Sequence, residues 1–164
     1  MYAYESIKNA ILQGEYVPDE RLILKNLCDS LSLSVIPVRE SLNNLEKDGL
    51  VIQIPHQGFR VASLSVNEFE ELLAIRLSLE ITALPYSIKN ITDKQILHLT
   101  SLTEEMFSYW EKYKDSPATL NIQKAFMTMN KELHIGIASA SQLIYLPGML
   151  TRVFDLSHRY LNIM

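Results

Sequence analysis

The spacing of apolar residues changes near residue 63, and that change limits what the chain can fold into. Before it, hydrophobic stripes are short and often interrupted by Gly, Pro or Ser. After it, they follow helical spacing almost to the end. The pattern predicts a small domain over residues 1–63 and a helical domain over 64–164. In the first, residues 3–13 align Tyr4, Ile7, Ala10 and Ile11, with Gly14 as a C-terminal cap and Pro18 beyond it. Residues 24–31 align Leu24, Leu27, Cys28 and Leu31. After a turn at Ser32-Leu33-Ser34, a third helix is expected over 35–48, capped by Ser34, with Pro37 in its first turn and Val38, Leu42 and Leu45 buried. Lys47 and Gly49 suit its end. Two strands, 50–53 and 59–62, flank a turn at Pro55-His56-Gln57-Gly58. Three small helices and a hairpin is the element order of a winged helix-turn-helix.

Beyond the boundary, Ser65…Glu68 and Thr92…Gln95 are both spaced as capping boxes. The helix from the first box is expected to reach about Ile88 with a kink at Pro85, and that from the second to end at about Tyr113. A third pattern covers about 118–141, and Pro147 opens a last helix running almost to Met164. The fold class expected is therefore mainly α: a winged helix-turn-helix with a small β hairpin, then an antiparallel helical bundle.

Composition removes several function classes. The lone Cys28 excludes a disulfide scaffold and a cysteine-based zinc module. No run of about 18 apolar residues is present, so no membrane span is encoded, and the start lacks a basic, apolar leader; a cytoplasmic location is expected. The chain carries 15 Lys+Arg against 19 Asp+Glu, a net charge of −4, which argues weakly against a general nucleic-acid coat. No ordered Ser/His/Asp set, glycine-rich phosphate loop or pair of catalytic carboxylates stands out, so nothing supports an enzyme.

Candidate site residues follow from helix geometry. A recognition helix touches bases through its first turns, which puts Val35, Ile36, Arg39 and Asn43 toward DNA. Arg39 is the strongest candidate, since a guanidinium binds guanine or phosphate through two hydrogen bonds; a solvated pair with Glu40 or a neighbouring helix is the plain alternative. Val35 and Ile36 can touch a thymine methyl but read no donor or acceptor; contact with a partner, or with the core, is the alternative. His56, Gln57 and Gly58 form a wing tip able to reach a groove or phosphate, or simply a tight turn. Asn130 and His134 lie four apart on one helix face, as two metal ligands in a bundle would, though a hydrogen-bonded histidine is the commoner case. Arg76 and Glu80 share that spacing: an anchor for a carboxylate effector, or a salt bridge worth about 0.3–0.5 kcal/mol. Met106, Phe107, Trp110 and Tyr113 read as a core stripe, and His98 and His158 as surface residues.

The run Ser34-Val35-Ile36-Pro37-Val38-Arg39-Glu40-Ser41-Leu42, continued by Leu45-Glu46-Lys47-Asp48-Gly49-Leu50-Val51, resembles the GntR family of bacterial transcription regulators. The likeness extends upstream through Tyr4–Gly14, Pro18, Arg21-Leu22 and Leu27–Leu31. Downstream, Arg76-Leu77-Ser78-Leu79-Glu80 and Asn130-Lys131-Glu132-Leu133-His134 resemble signatures of the family's helical FCD effector domain. The resemblance implies a homodimer on double-stranded operator DNA, controlled by a small organic-acid effector and acting as a repressor. Ser34, Arg39, His56 and Gly58 would meet DNA, and Arg76 would lie near the effector carboxylate. Asn130 and His134 would be the first two ligands of a divalent metal such as zinc; the later histidine ligands belong to a region past Met164, so the helical domain and its metal site are expected to be incomplete here. The chain also departs from the family. Val35 stands where Arg is usual, Ile36 where Thr is, Ser32 where Gly is, and Ile23-Leu24 replace a polar helix start. Residues 1–62 hold six Lys+Arg against eight Asp+Glu, a deficit that weakens phosphate contacts. A protein-interaction or dimerisation module with weakened DNA binding is the alternative function.

Overall fold

The computed structural model describes residues 2–117 and 119–162. The expected last turn toward Met164, and the start of the third downstream pattern at Ala118, lie outside the described residues. Two compact units form. One contains the residues up to Glu71 and those from Asp155; the other is Leu72–Phe154. The break after residue 63 thus marks where helical patterning begins, while the first unit also takes in the start of the next helix and the end of the chain.

In the first unit, α1 (Tyr2–Leu12), α2 (Leu24–Leu31) and α3 (Val35–Lys47) fall within a residue or so of their predicted bounds. They bury Ile7, Ile11, Leu27, Val38, Leu42 and Leu45 in one core with Leu22, Leu50, Val51, Phe59 and Val61. Each such aliphatic side chain contributes about 1.5–3 kcal/mol on leaving water. The wing is larger than a hairpin: β1 (Arg21–Leu22) joins β2 (Val51–Ile54) and β3 (Gly58–Val61) in an antiparallel sheet of order β1-β3-β2. Arg21 faces Arg60 and Leu22 faces Phe59. A two-residue strand has no alternation to detect, which is why the sequence pattern misses it.

Residues from Asp155 to Tyr160 are tied to this unit by polar contacts. Lys8 Nζ lies 2.6 Å from Asp155 Oδ2. The Arg159 guanidinium, with the residue 3% exposed, donates to the Ala62 carbonyl at 3.3 Å and to Glu68 Oε1 at 3.2 Å. The Tyr160 hydroxyl donates to Glu68 and accepts from the Ser65 N–H at 3.3 Å. These contacts alter the first capping box. Ser65 Oγ does accept from the Glu68 N–H at 3.1 Å, but the Glu68 carboxylate is taken by Arg159 and Tyr160 instead of returning to Ser65. Partners more than 90 residues away cannot be read from a four-residue motif.

In the second unit, α4 (Val66–Asn90) enters from the first and continues through Pro85; α5 (Asp93–Tyr113), α6 (Leu120–Ala140) and α7 (Leu146–His158) follow, the last leading into a short 3-10 turn, Arg159–Asn162. The second capping box forms as expected: Gln95 N–H to Thr92 Oγ1 at 3.3 Å, and Thr92 N–H to Gln95 Oε1 at 3.0 Å. Ala83, Ala138, Leu146, Leu150 and Phe154 make the core. Helices α5 and α6 approach closely at Gly136, where a Cβ would sit 2.8 Å from Leu99 Cδ2. The expected core stripe is corrected: Phe107 and Trp110 are exposed and Met106 and Tyr113 only half-buried. Its ring contacts are Trp110 to Phe126 of α6 at 6.5 Å and Tyr113 to Tyr109 within α5 at 4.7 Å. Likewise His158 is half-buried, not a surface residue, while His98 is exposed beside Glu132.

Ser32 ends α2 at φ 55°, a left-handed conformation. That conformation costs an L-residue about 1–2 kcal/mol, more than the roughly 0.5–1 kcal/mol of chain entropy a glycine forfeits. Ser32→Gly is therefore expected to stabilise the first unit by about 0.5 kcal/mol, seen as a higher urea midpoint at unchanged slope. A lower midpoint would show that the serine side chain stabilises the turn.

Candidate nucleic-acid interface and a half-buried polar cluster

Helix α3 presents the expected face. Its inner side is fixed by Val38, Leu42 and Leu45, each fully buried. Its first turns then leave Ser34, Val35, Ile36 and Arg39 exposed and Asn43 half-buried. Arg39 makes no ion pair with Glu40 or any other group among the described residues, so the plain alternative for it is not realised. Val35 and Ile36 are 48% and 72% exposed and so do not cap the core. Ser34 has the extended backbone of an N-cap but its side chain makes no capping hydrogen bond, a correction to its expected role. Ser41, one of the buried polar residues, donates back to the Pro37 carbonyl at 2.8 Å, leaving no lone donor inside.

Two side-chain bonds hold this helix in place. The Tyr4 hydroxyl donates to Asp48 Oδ2 at 2.6 Å, tying α1 to the end of α3. Burial, then the bond to Asp48, pushes Tyr4 up to about 12. Glu46 Oε1 accepts the Gln53 N–H at 2.9 Å, tying α3 to the wing. At the wing tip His56, Gln57 and Gly58 are exposed. His56 and Gly58 take positive φ, 62° and 88°, to turn the chain between β2 and β3. A Cβ at Gly58 would meet nothing within 4 Å, so the demand for glycine there is conformational.

Sequence reasoning missed two exposed cations of the same unit, Arg21 on β1 and Lys25 on α2. Neither has an ion-pair partner among the described residues. Lys25 was legible, since the α2 stripe puts it on the outer face; Arg21 depended on the strand that periodicity could not show. Arg60, by contrast, is spent on the Asp19 carbonyl at 2.8 Å, and Lys8 on Asp155.

The second unit brings three of the predicted residues into one polar cluster. Arg76 Nε donates to Glu80 Oε1 at 2.7 Å, as the four-residue spacing predicts. His134 Nδ1 lies 3.0 Å from the same oxygen, and His134 Nε2 lies 3.0 Å from Arg76 Nη2. Guanidinium nitrogens only donate, so Nε2 accepts and Nδ1 carries the proton toward Glu80. The Arg76 guanidinium also lies 4.0 Å from the centre of the Phe154 ring. Desolvation and, against the pull of Glu80, the Arg76 charge hold His134 below the ordinary imidazole range. The expectation that Asn130 and His134 begin a metal site does not fit this arrangement: the imidazole lone pair is occupied by a cationic donor. No group of three or more metal-capable side chains is assembled among the described residues. Asn130 is half-buried one turn before His134 and outside the Arg76–Glu80 contacts.

Removing the arginine charge tests this description. Arg76→Gln is expected to raise the pKa of His134, measured by NMR titration of its ring protons; an unchanged or lower value would mean that Arg76 does not act on the imidazole.

Comparison with known proteins gives a consistent picture. Residues 2–61 match the family described as bacterial regulatory proteins, gntR family. The HTH-type transcriptional regulator McbR of Escherichia coli is 31% identical over 120 residues, covering 73% of this chain and 54% of McbR. The HTH-type transcriptional repressor GlaR of the same organism is 27% identical over 157 residues, covering 96% of this chain and 70% of GlaR. The chain thus spans between about half and seven-tenths of these relatives' lengths. The solved structure of E. coli McbR superposes with a TM-score of 0.80 at 25% identity, over 99% of this chain and 73% of that one. A GntR regulator structure from Rhodococcus shares the fold, with a TM-score of 0.72 at 19% identity over 98% of this chain and 73% of that one.

Proposed function

Residues 2–61 are a gntR-family helix-turn-helix domain, so the chain belongs to that family of bacterial regulatory proteins, and on this premise we propose that it is a sequence-specific DNA-binding transcription regulator, acting as a repressor in the cytoplasm. The observation that carries the reading is the outer face of α3: Arg39 exposed and without a protein partner, beside Ser34, Asn43 and the wing tip His56-Gln57-Gly58. A buried inner face and a partnerless cation on the outer one suit insertion into the major groove. The name of the relative GlaR, a repressor, supports the direction of control.

The regulator works as a homodimer on a pseudo-palindromic operator. Support comes from α4, where Leu77, Ile81, Leu84 and Ile88 are all exposed at spacings of four, three and four. That is the spacing of a helix seam that another helix covers. The effector is a small carboxylate that engages Arg76. Arg76 is the one guanidinium of the polar cluster, and a ligand carboxylate would take the place of Glu80 on it. Control then follows from linkage: an effector favouring one dimer geometry changes operator affinity by its differential binding.

Two measurements test this. Arg39→Ala is expected to weaken binding to a duplex selected by the wild-type chain by about 10-fold or more, with an unchanged circular dichroism spectrum. Undiminished binding would favour the protein-interaction reading. Ile81→Glu places a charge in the α4 seam and is expected to convert a dimer to a monomer in light scattering; a persistent dimer would place the interface elsewhere.

A further inference from the structure

Two β-branched side chains stand in water at the head of α3. Val35 and Ile36 occupy its first turn, 48% and 72% exposed, ahead of the exposed Arg39. Each holds apolar surface out of the core in a helix whose other aliphatic residues, Val38, Leu42 and Leu45, are fully buried. A helix of this kind puts its first turn deepest into the major groove. The apolar group that groove offers is the thymine C5-methyl; every other feature of the base edges there is a donor or acceptor. Val and Ile are also stiff at χ1 in helices, so fixing them against a methyl costs little side-chain entropy.

We propose that Val35 and Ile36 are specificity-determining residues that read thymine methyl groups, so that the operator half-site carries A·T pairs at the positions facing the start of α3, flanking the base or phosphate held by Arg39. The inference rests on the DNA-binding reading above and adds which base pairs are selected. The polar neighbours decide against a protein partner for this patch. Ser34, Arg39 and Asn43 surround it, and Arg39 would be buried without a counter-charge unless the partner supplied an acid, which DNA phosphate or guanine meets directly.

The test removes only the methyl. The full chain is used to select duplexes from a random-sequence pool, and each thymine of the selected duplex is replaced in turn by deoxyuridine, which keeps every hydrogen-bonding group. One or two positions per half-site are expected to lose about fourfold in affinity, the value of one buried methyl. That loss should vanish in Val35→Ala or Ile36→Ala, survive in Ile36→Val, and survive in Arg39→Ala, whose overall affinity falls. Circular dichroism checks that each variant is folded. Tolerance of uracil at every position, or a penalty undiminished in both alanine variants, overturns the assignment while leaving the DNA-binding reading standing. A folded chain that selects no sequence overturns both.

Discussion

Helix α3 meets two opposed demands, and the first unit is built around meeting them. One side must be apolar enough to anchor three helices and a sheet; the other must stay open to DNA. The chain satisfies both by strict helical spacing. Val38, Leu42 and Leu45 fall on one side and are fully buried, so Ile36, Arg39 and Asn43 fall on the other by geometry alone. Because the burial fixes the rotation of the helix, a one-position slip would drive Arg39 toward the core. The two bonds Tyr4 to Asp48 and Gln53 to Glu46 then fix its C-terminal end. The reading face is thus held by contacts that never touch DNA.

The polar cluster of the second unit shows a different economy. Arg76, Glu80 and His134 satisfy one another, with Phe154 under the guanidinium. Partly buried charges of this kind add little net stability, since desolvation offsets attraction. On the effector reading proposed above, Glu80 is the partner that a ligand would displace from the arginine. A ligand carboxylate would exchange one ion pair for another, so it would bind without leaving a buried charge uncompensated.

How far these features were legible in the sequence depends on their range. The three helices of the first unit, the capping box at Thr92 and the Arg76–Glu80 pair are local, fixed by spacings of three and four, and were readable. Arg39 was readable as a candidate, and the structure adds that it is without a protein partner. What escaped was set at long range. β1 exists because Leu22 finds Phe59; the box at Ser65 is half-made because Arg159 and Tyr160 claim Glu68; His134 meets Arg76, 58 residues away, a contact that its spacing from Asn130 does not announce. The aromatic stripe of α5 failed differently: apolar residues at helical spacing show that a face is shared, not that it is covered.

Charge completes the account of how such a domain could select DNA. Six cations against eight acids in residues 1–62 look unfavourable for binding a polyanion, and the structure narrows the number further. Lys8 is bound to Asp155, Arg60 to the Asp19 carbonyl and Lys47 to Asn44 Oδ1, which leaves Arg21, Lys25 and Arg39 as exposed cations without an ion-pair partner among the described residues. Each phosphate contact contributes about 0.9 to the logarithmic salt slope, so a unit with three such cations draws a small share of its affinity from counterion release. Under the DNA-binding reading, sequence-independent binding would be correspondingly weak. The remainder has to come from base edges, where contacts discriminate. On the proposed reading, a domain poor in cations and carrying aliphatic side chains at the head of its recognition helix would trade general affinity for dependence on the right sequence, and its acidity would favour selectivity over general nucleic-acid binding.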